Sequence, residues 1–235
     1  ENWRQVTASG AMAFGPDGAL YVVDYSGPDW RAFGQLKRIA PDGTAALFGA
    51  ALNTGKLPLL AQLAFDSGGN LYVTHPDSGE IWRVAQDGSA SVWWSMPPVG
   101  QLSAQPIGIA HDPAHNALIV ADAGTGTLYR AGLGGGLPLV EPLYRQAGLD
   151  VRAVALDDQG RVLVTIWEHD NGILARLESD GALTRLAENF RAPSALVYRA
   201  GQVYVVNSDL PGLISQITAD PPFTVDVVSL DNTAP

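Results

Sequence analysis

An all-β fold made of repeated four-stranded antiparallel units is predicted by three features of the chain. First, residues 63–94, LAFDSGGNLYVTHPDSGEIWRVAQDGSASVWW, hold four short runs rich in β-branched and aromatic residues, which suit a pleated, half-buried surface. Second, the runs are separated by DSGG at 66–69, HPDSG at 75–79 and QDG at 86–88, where Gly and Asp supply the positive φ and Asx bonding that tight turns need. Third, the unit recurs along the chain.

The recurrence is clearest around the first turn of each unit. Ala13-Phe14 leads through GPDG to LYVVD at 20–24, and Ala64-Phe65 leads through DSGG to LYVTH at 71–75. Ala110-His111 leads through DPAHN to LIVAD at 118–122. Ala155-Leu156 leads through DDQG to VLVTI at 162–166, and Leu196-Val197 through YRAG to VYVVN at 203–207. From Ala13 to Ala64, Ala110, Ala155 and Leu196 the steps are 51, 46, 45 and 41 residues. A four-stranded unit repeating every ~40–50 residues predicts a β-propeller. Five repeats are countable, with blades near 11–49, 62–95, 107–144, 153–188 and 194–230 in one domain spanning 1–235; a six-bladed design remains the alternative. Third strands recur as QLKRI, EIWRV, TLYRA, ILARL and LISQI, the last at 213–217. The Arg shared by the first four reads as a repeat feature, on a solvated face or bonded to a neighbouring turn.

AFDSGGNLYVT, AFGPDGALYVVD and GEIWRVAQDG resemble the NHL-repeat and gluconolactonase-like (senescence-marker-protein type) propellers. The resemblance covers nearly the whole chain. It is specific for fold and weak for activity, because one fold hosts many functions.

Composition narrows the function. The 235 residues are 46% hydrophobic and 16% charged, as expected of a folded chain. A net charge of −10, with Lys only at 37 and 56, leaves no basic stripe, which speaks against nucleic acid and anionic membranes as partners. No apolar run reaches the ~20 residues of a membrane helix. The absence of cysteine excludes disulfides and thiolate ligands. Glu1 opens the chain without Met or a signal peptide and DNTAP closes it like the start of a linker, so a processed product or a piece of a larger protein is expected. Composition and resemblance together point to a secreted, periplasmic or cell-surface bacterial protein.

Taken in order, WRQV at 3–6 reads as a closing or edge strand within residues 1–8. Residues 223–230 read as the fourth strand of the last unit, which conflicts with that closing role. YSGPDWRAFG at 25–34 is a longer loop whose Trp30 and Arg31 offer a ligand wall. GLGGG at 132–136 precedes no helix and reads as a turn rather than a phosphate loop. Of Trp93 and Trp94, one ring is expected between blades and the other partly exposed.

Chemistry would sit at the channel mouth. Two sets of positions should converge there: Gly10, Ala61, Ile107, Arg152 and Pro193 at the starts of inner strands, and Asp24, His75, Asp122, Ile166 and Asn207 at the ends of second strands. Asp77, Trp167, Glu168, His169 and Asp209 follow just beyond. The resemblance implies a divalent metal held by Glu, Asn and Asp. Matched by register, those positions are Ser9, Ile107 and Arg152, and an apolar group and a cation cannot ligate a hard ion that needs oxygen donors. No G-x-S-x-G, H-E-x-x-H or P-loop is present. His111 and His115 flank a first turn, on the opposite face.

The preferred reading is therefore a non-catalytic recognition module. It would bind a protein partner or small ligand through Trp30, Arg31, His75, Asp122, Arg152, Trp167, Glu168 and Asn207, and no cofactor is expected. One alternative is a divalent-metal hydrolase, lactonase-like, using Ca2+ or another divalent ion on Asp24, Asp122, Glu168 and Asp209, with His75 and His169 nearby. The other is a structural or assembly domain of a larger surface protein.

Overall fold

The computed structural model describes residues 9–24, 35–49, 61–168, 171–207 and 224–230. Every described element is a strand or turn, and the strands form a five-bladed β-propeller. Blade one contains β1 (Ser9–Phe14), β2 (Leu20–Asp24), β3 (Gln35–Ile39) and β4 (Ala45–Leu47). Blade two contains β5 (Leu63–Phe65), β6 (Leu71–His75), β7 (Glu80–Val84) and β8 (Ala90–Ser95). Blade three is β9 (Pro106–Asp112), β10 (Ala117–Asp122), β11 (Thr127–Gly132) and β12 (Val140–Arg145). Blade four is β13 (Asp150–Leu156), β14 (Val162–Glu168), β15 (Asn171–Leu177) and β16 (Leu183–Phe190). Blade five shows β17 (Pro193–Arg199), β18 (Gln202–Asn207) and β19 (Thr224–Ser229). Within each blade the strands follow one another antiparallel, in chain order.

The repeated phrases of the sequence are turn devices. Asp17, in the first turn of blade one, accepts from the Tyr21 hydroxyl at 3.3 Å and from Arg38 Nη2 at 2.6 Å. In blade two, Asp66 accepts from Tyr72 at 3.2 Å, and Arg83 donates to Asn70 at 2.7 Å. In blade three, Arg130 and His115 both reach Asp112, at 3.3 and 2.8 Å. In these three blades the recurrent Arg thus pins the third strand to the turn between the first two, whereas Arg176 of blade four bonds Glu178 at 2.8 Å; His115 lies in the blade-three turn as expected.

Second strands are buried on both faces, so alternate residues serve different neighbours. Leu118 and Val120 pack towards blade two with Ile81 and Trp94, whereas Ile119 and Ala121 pack towards blade four with Val151 and Val164. Trp94 is buried edge-on against Tyr129, 5.6 Å between centroids, and Trp93, half-buried, meets Tyr72 at 5.0 Å. Where inner strands approach most closely there is no room for a Cβ: one on Gly108 would lie 2.0 Å from the Arg152 carbonyl oxygen. No described helix is long and apolar enough to cross a membrane.

Blade five corrects one expectation. Residues 224–229 do not form a fourth strand; β19 pairs directly with β18 over six residue pairs, from Gln202↔Ser229 to Asn207↔Thr224. This is the third position of the sheet. Spacing along the chain identifies a strand but not the neighbour it bonds to; here the ladder is unbroken, with a β-branched residue in five of its six pairs. The sequence-predicted strands at 3–6 and 213–217 lie outside the described residues.

Candidate functional site

Five second strands end, and five inner strands begin, on one face of the ring. The pairs Ser9↔Asp24, Asp122↔Pro106, Asp150↔Trp167 and Pro193↔Asn207 mark it. This is the face on which the sequence predicts the site.

Several predicted residues prove to be committed to internal bonds. Asp122 is fully buried, and its carboxylate accepts from the N–H groups of Gln105 (2.7 Å) and Gly124 (3.1 Å) and from the Thr125 hydroxyl (2.6 Å). His75 does the same job one blade earlier. Its Nδ1 accepts from the Ser78 N–H at 3.2 Å and lies 2.6 Å from the Ser78 hydroxyl. Because a backbone N–H points at Nδ1, that nitrogen carries the lone pair and the proton sits on Nε2. The Ser78 hydroxyl also lies 3.0 Å from Glu80, which accepts from Trp82 Nε1 at 3.0 Å. Asn207, buried, accepts from the Arg191 N–H at 3.0 Å and donates to Thr224 and Asp226 at 2.9 and 2.8 Å. Asp24, buried, forms an ion pair with Lys37. A buried polar side chain must be satisfied in this way, and each of these four closes the end of a second strand.

The top of blade four is different. Trp167 is half-buried, opposite Asp150 on one side and Gly172 on the other. Gly172 leaves no side chain beside the indole, and a Cβ there would strike Pro193 Cδ at 2.5 Å. On the inner side, Arg152 Nη2 and Nε hold Asp150 at 2.6 and 3.1 Å. On the outer side, Arg185 Nη2 holds Glu168 at 2.7 Å. Two arginine–carboxylate pairs and a half-buried indole thus lie at the same end of blade four, and alternation along β14 turns Trp167 and Glu168 to opposite faces of the sheet. Arg185, on the outer strand, was not singled out from the sequence; the 17-residue separation from Glu168 hid the pairing.

Gln62 was missed as well. Its Nε2 donates to the Ser194 carbonyl at 3.1 Å, and its Oε1 accepts from the Ile109 N–H at 3.3 Å. One side chain therefore joins blades two, three and five around the central axis. The Thr74 hydroxyl adds a second link, donating to the Ile107 carbonyl at 2.9 Å. Only the preference for a polar residue at the start of an inner strand could have drawn attention to Gln62.

The metal implied by the family resemblance does not fit these residues. At its register positions, Arg152 brings a guanidinium bonded to Asp150, and Ile107 brings an apolar side chain whose carbonyl already serves Thr74. Nothing is described of the Ser9 side chain. Among the described residues, no three His, Cys, Asp or Glu side chains gather as a metal site. Trp30, Arg31, His169 and Asp209 lie outside the described residues.

The chain matches no family profile and no curated protein. Solved structures are similar to it in fold. A virginiamycin B lyase from Staphylococcus aureus is 15% identical with a TM-score of 0.62, the match covering 84% of this chain and 62% of the lyase. A gluconolactonase from Xanthomonas campestris is 15% identical with a TM-score of 0.65, covering 85% of this chain and 69% of that one. A chain of a nidogen/laminin complex is 16% identical with a TM-score of 0.66, covering 85% and 72%. The chain spans less than two thirds of the length of the lyase. At these identities the likeness establishes the fold alone, and the protein is a five-bladed β-propeller similar in fold to these structures.

Proposed function

We propose that the protein is a recognition module whose contact surface is the top of blade four. The observation that carries this reading is that the half-buried Trp167 lies at the end of blade four that also holds the partly exposed pairs Arg152–Asp150 and Arg185–Glu168. An indole offers a rigid apolar surface with little rotamer entropy to lose, and arginine offers a planar fork of donors. Both ion pairs keep some solvent exposure, so a ligand carboxylate or amide can compete for either guanidinium at modest cost. A protein partner suits a net charge of −10 when that partner is basic, and the likeness to a chain from a nidogen/laminin complex agrees with protein binding. A secreted or cell-surface setting is part of the same proposal.

The test is a displayed random-peptide library selected on the purified chain. Selected peptides should lose roughly 100-fold or more in affinity when Trp167 and Arg152 are both changed to Ala. Peptides whose affinity is untouched would remove the site from blade four. The competing hydrolase reading is tested by adding Ca2+, Zn2+ and Mn2+ in turn with glucono-δ-lactone as substrate. Metal-dependent turnover that vanishes in Glu168→Gln would overturn the recognition reading.

A further inference from the structure

The turn at the top of blade two is closed by an imidazole. β6 ends at His75, and HPDSG at 75–79 turns the chain into β7. His75 is 4% exposed, and its Nδ1 accepts from the Ser78 N–H at 3.2 Å. Blade three makes the same turn with a carboxylate: Asp122 accepts from the Gly124 and Thr125 N–H groups and from the Thr125 hydroxyl. At this register blade one has Asp24, blade four Ile166 and blade five Asn207. Only blade two closes its turn on a group whose charge ordinarily changes between about pH 5 and 8.

Three atoms make that turn sensitive to a proton. The Ser78 hydroxyl oxygen lies 2.6 Å from His75 Nδ1 and 3.0 Å from Glu80 Oε2. It has one proton to give. With Nδ1 bare, the short approach to the ring takes that proton, and Glu80 receives none from Ser78. With Nδ1 protonated, the ring donates to the hydroxyl and the hydroxyl donates to Glu80, so both contacts are filled. The same protonation leaves the Ser78 N–H without its acceptor, because Nδ1 has become a donor. Each protonation state thus satisfies a different set of bonds. One set holds the backbone, and the other joins the imidazolium to a carboxylate.

Among the described residues, the charged groups around the ring are few. Glu80 is directly opposite His75 in the ladder, and the exposed Asp77 lies within the turn. At the top of blade one, Asp24 is tied to Lys37; towards blade three, Asp122 is bonded to N–H and hydroxyl groups. β5 and the connection at 96–105 carry no ionisable side chain. That connection rests on the turn. The Met96 N–H donates to the Gly79 carbonyl at 2.8 Å, and a Cβ on Gly79 would come within 3.2 Å of the Ala104 carbonyl oxygen. We propose that His75 is a proton-operated latch. Protonation of Nδ1 turns the Ser78 hydroxyl to Glu80, releases the Ser78 N–H and loosens residues 75–79 together with the connection packed on them.

Amide exchange read by NMR on the full chain tests the latch, at about pH 7.5 and about pH 5, with each rate divided by the intrinsic rate at that pH. Protection at Ser78 should fall roughly 10-fold on acidification, with Gly124, capped by a carboxylate, unchanged. In His75→Asp the fall should disappear. A fall that persists in that variant, or one shared equally by Gly124, would overturn the proposal. Should His75→Asp not fold, the unsubstituted ring decides. Its nitrogen shifts should show Nδ1 bare at about pH 7.5 and protonated at about pH 5, with Ser78 protection lost at the same midpoint. A ring that keeps Nδ1 bare over that range, or Ser78 protection that ignores its titration, would refute the latch.

Discussion

Blades four and five start from the same instructions and finish differently. Both open at the top, turn through a Gly-containing loop and return in a second strand, VLVTI at 162–166 and VYVVN at 203–207. In both, the middle of that second strand is buried: Leu163 and Val164 in one, Val203 and Val205 in the other. Beyond it they diverge. In blade four, Ile173, Leu174 and Ala175 are almost inaccessible, packed between blade three on one face and blade five on the other. In blade five, Leu196, Val203 and Val205 pack on blade four, while Val197, Val225 and Val227, turned the other way, are exposed. Turn residues and alternation are sufficient to build the inner hairpin of a blade. Burial of the outer half depends on having a neighbour.

The sharpest way to probe that contrast is a pair of truncations at third-strand positions. Leu174→Ala removes a fully buried side chain and should cost about 3 kcal/mol in urea unfolding. Val227→Ala, on the exposed counterpart, should stay within about 0.5 kcal/mol. Equal losses would mean that blade five is as tightly packed as blade four.

A second comparison uses the tyrosine shared by the second strands. Tyr72, buried and beside Asp66, has its phenol pushed up to about 12 from the ordinary 10.0, by burial first and then by the neighbouring carboxylate. The fold holds the neutral phenol, so this contribution is complete below pH 10.0 and is lost as the pH rises through about 12. Alkaline titration of stability should therefore show a fall of about 2 kcal/mol across that window, absent in Tyr72→Phe. Tyr204, at the same register in blade five, is half-buried and donates to Gln202 at 2.8 Å; Tyr204→Phe should leave the fall in place.

A smaller loss than that of Leu174→Ala is expected in the bond network that anchors β19. Asn207 bridges Arg191, Thr224 and Asp226. Asn207→Ala should cost about 1–2 kcal/mol and speed exchange in β19 while sparing β13–β16. Loss of protection throughout blade four would show that the two blades unfold as one unit.

Much of the architecture was legible in the residues. Repeats of turn, second strand and Arg-bearing third strand named the propeller and its five units, because tight turns and half-buried strands each demand particular residue types. The Arg–Asp ties of Arg38 and Arg130 match one of the two readings open for that repeat, a bond to a neighbouring turn and not a solvated face, and the placement of Asp24, His75, Asp122 and Asn207 on one face followed from their register. Their roles did not. Whether a carboxylate at the end of a strand faces a ligand or caps a turn depends on which backbone N–H groups surround it, and for Asp122 those come from as far away as Gln105.

The sequence by itself thus determined the repeating unit and the face on which the strands end and, at the register positions the family resemblance implies, the mismatch between Ser9, Ile107, Arg152 and a hard-metal site. These follow from local chemistry: what a turn needs, what a pleat buries, what an ion will bind. Only the tertiary structure decided that β19 lies third in its sheet, that Gln62 ties blades two, three and five together, and that Arg185 pairs with Glu168 at the top of blade four. Each of those depends on groups far apart in the chain meeting at hydrogen-bond distance. That meeting is set by how the blades pack around the axis, which no local pattern encodes.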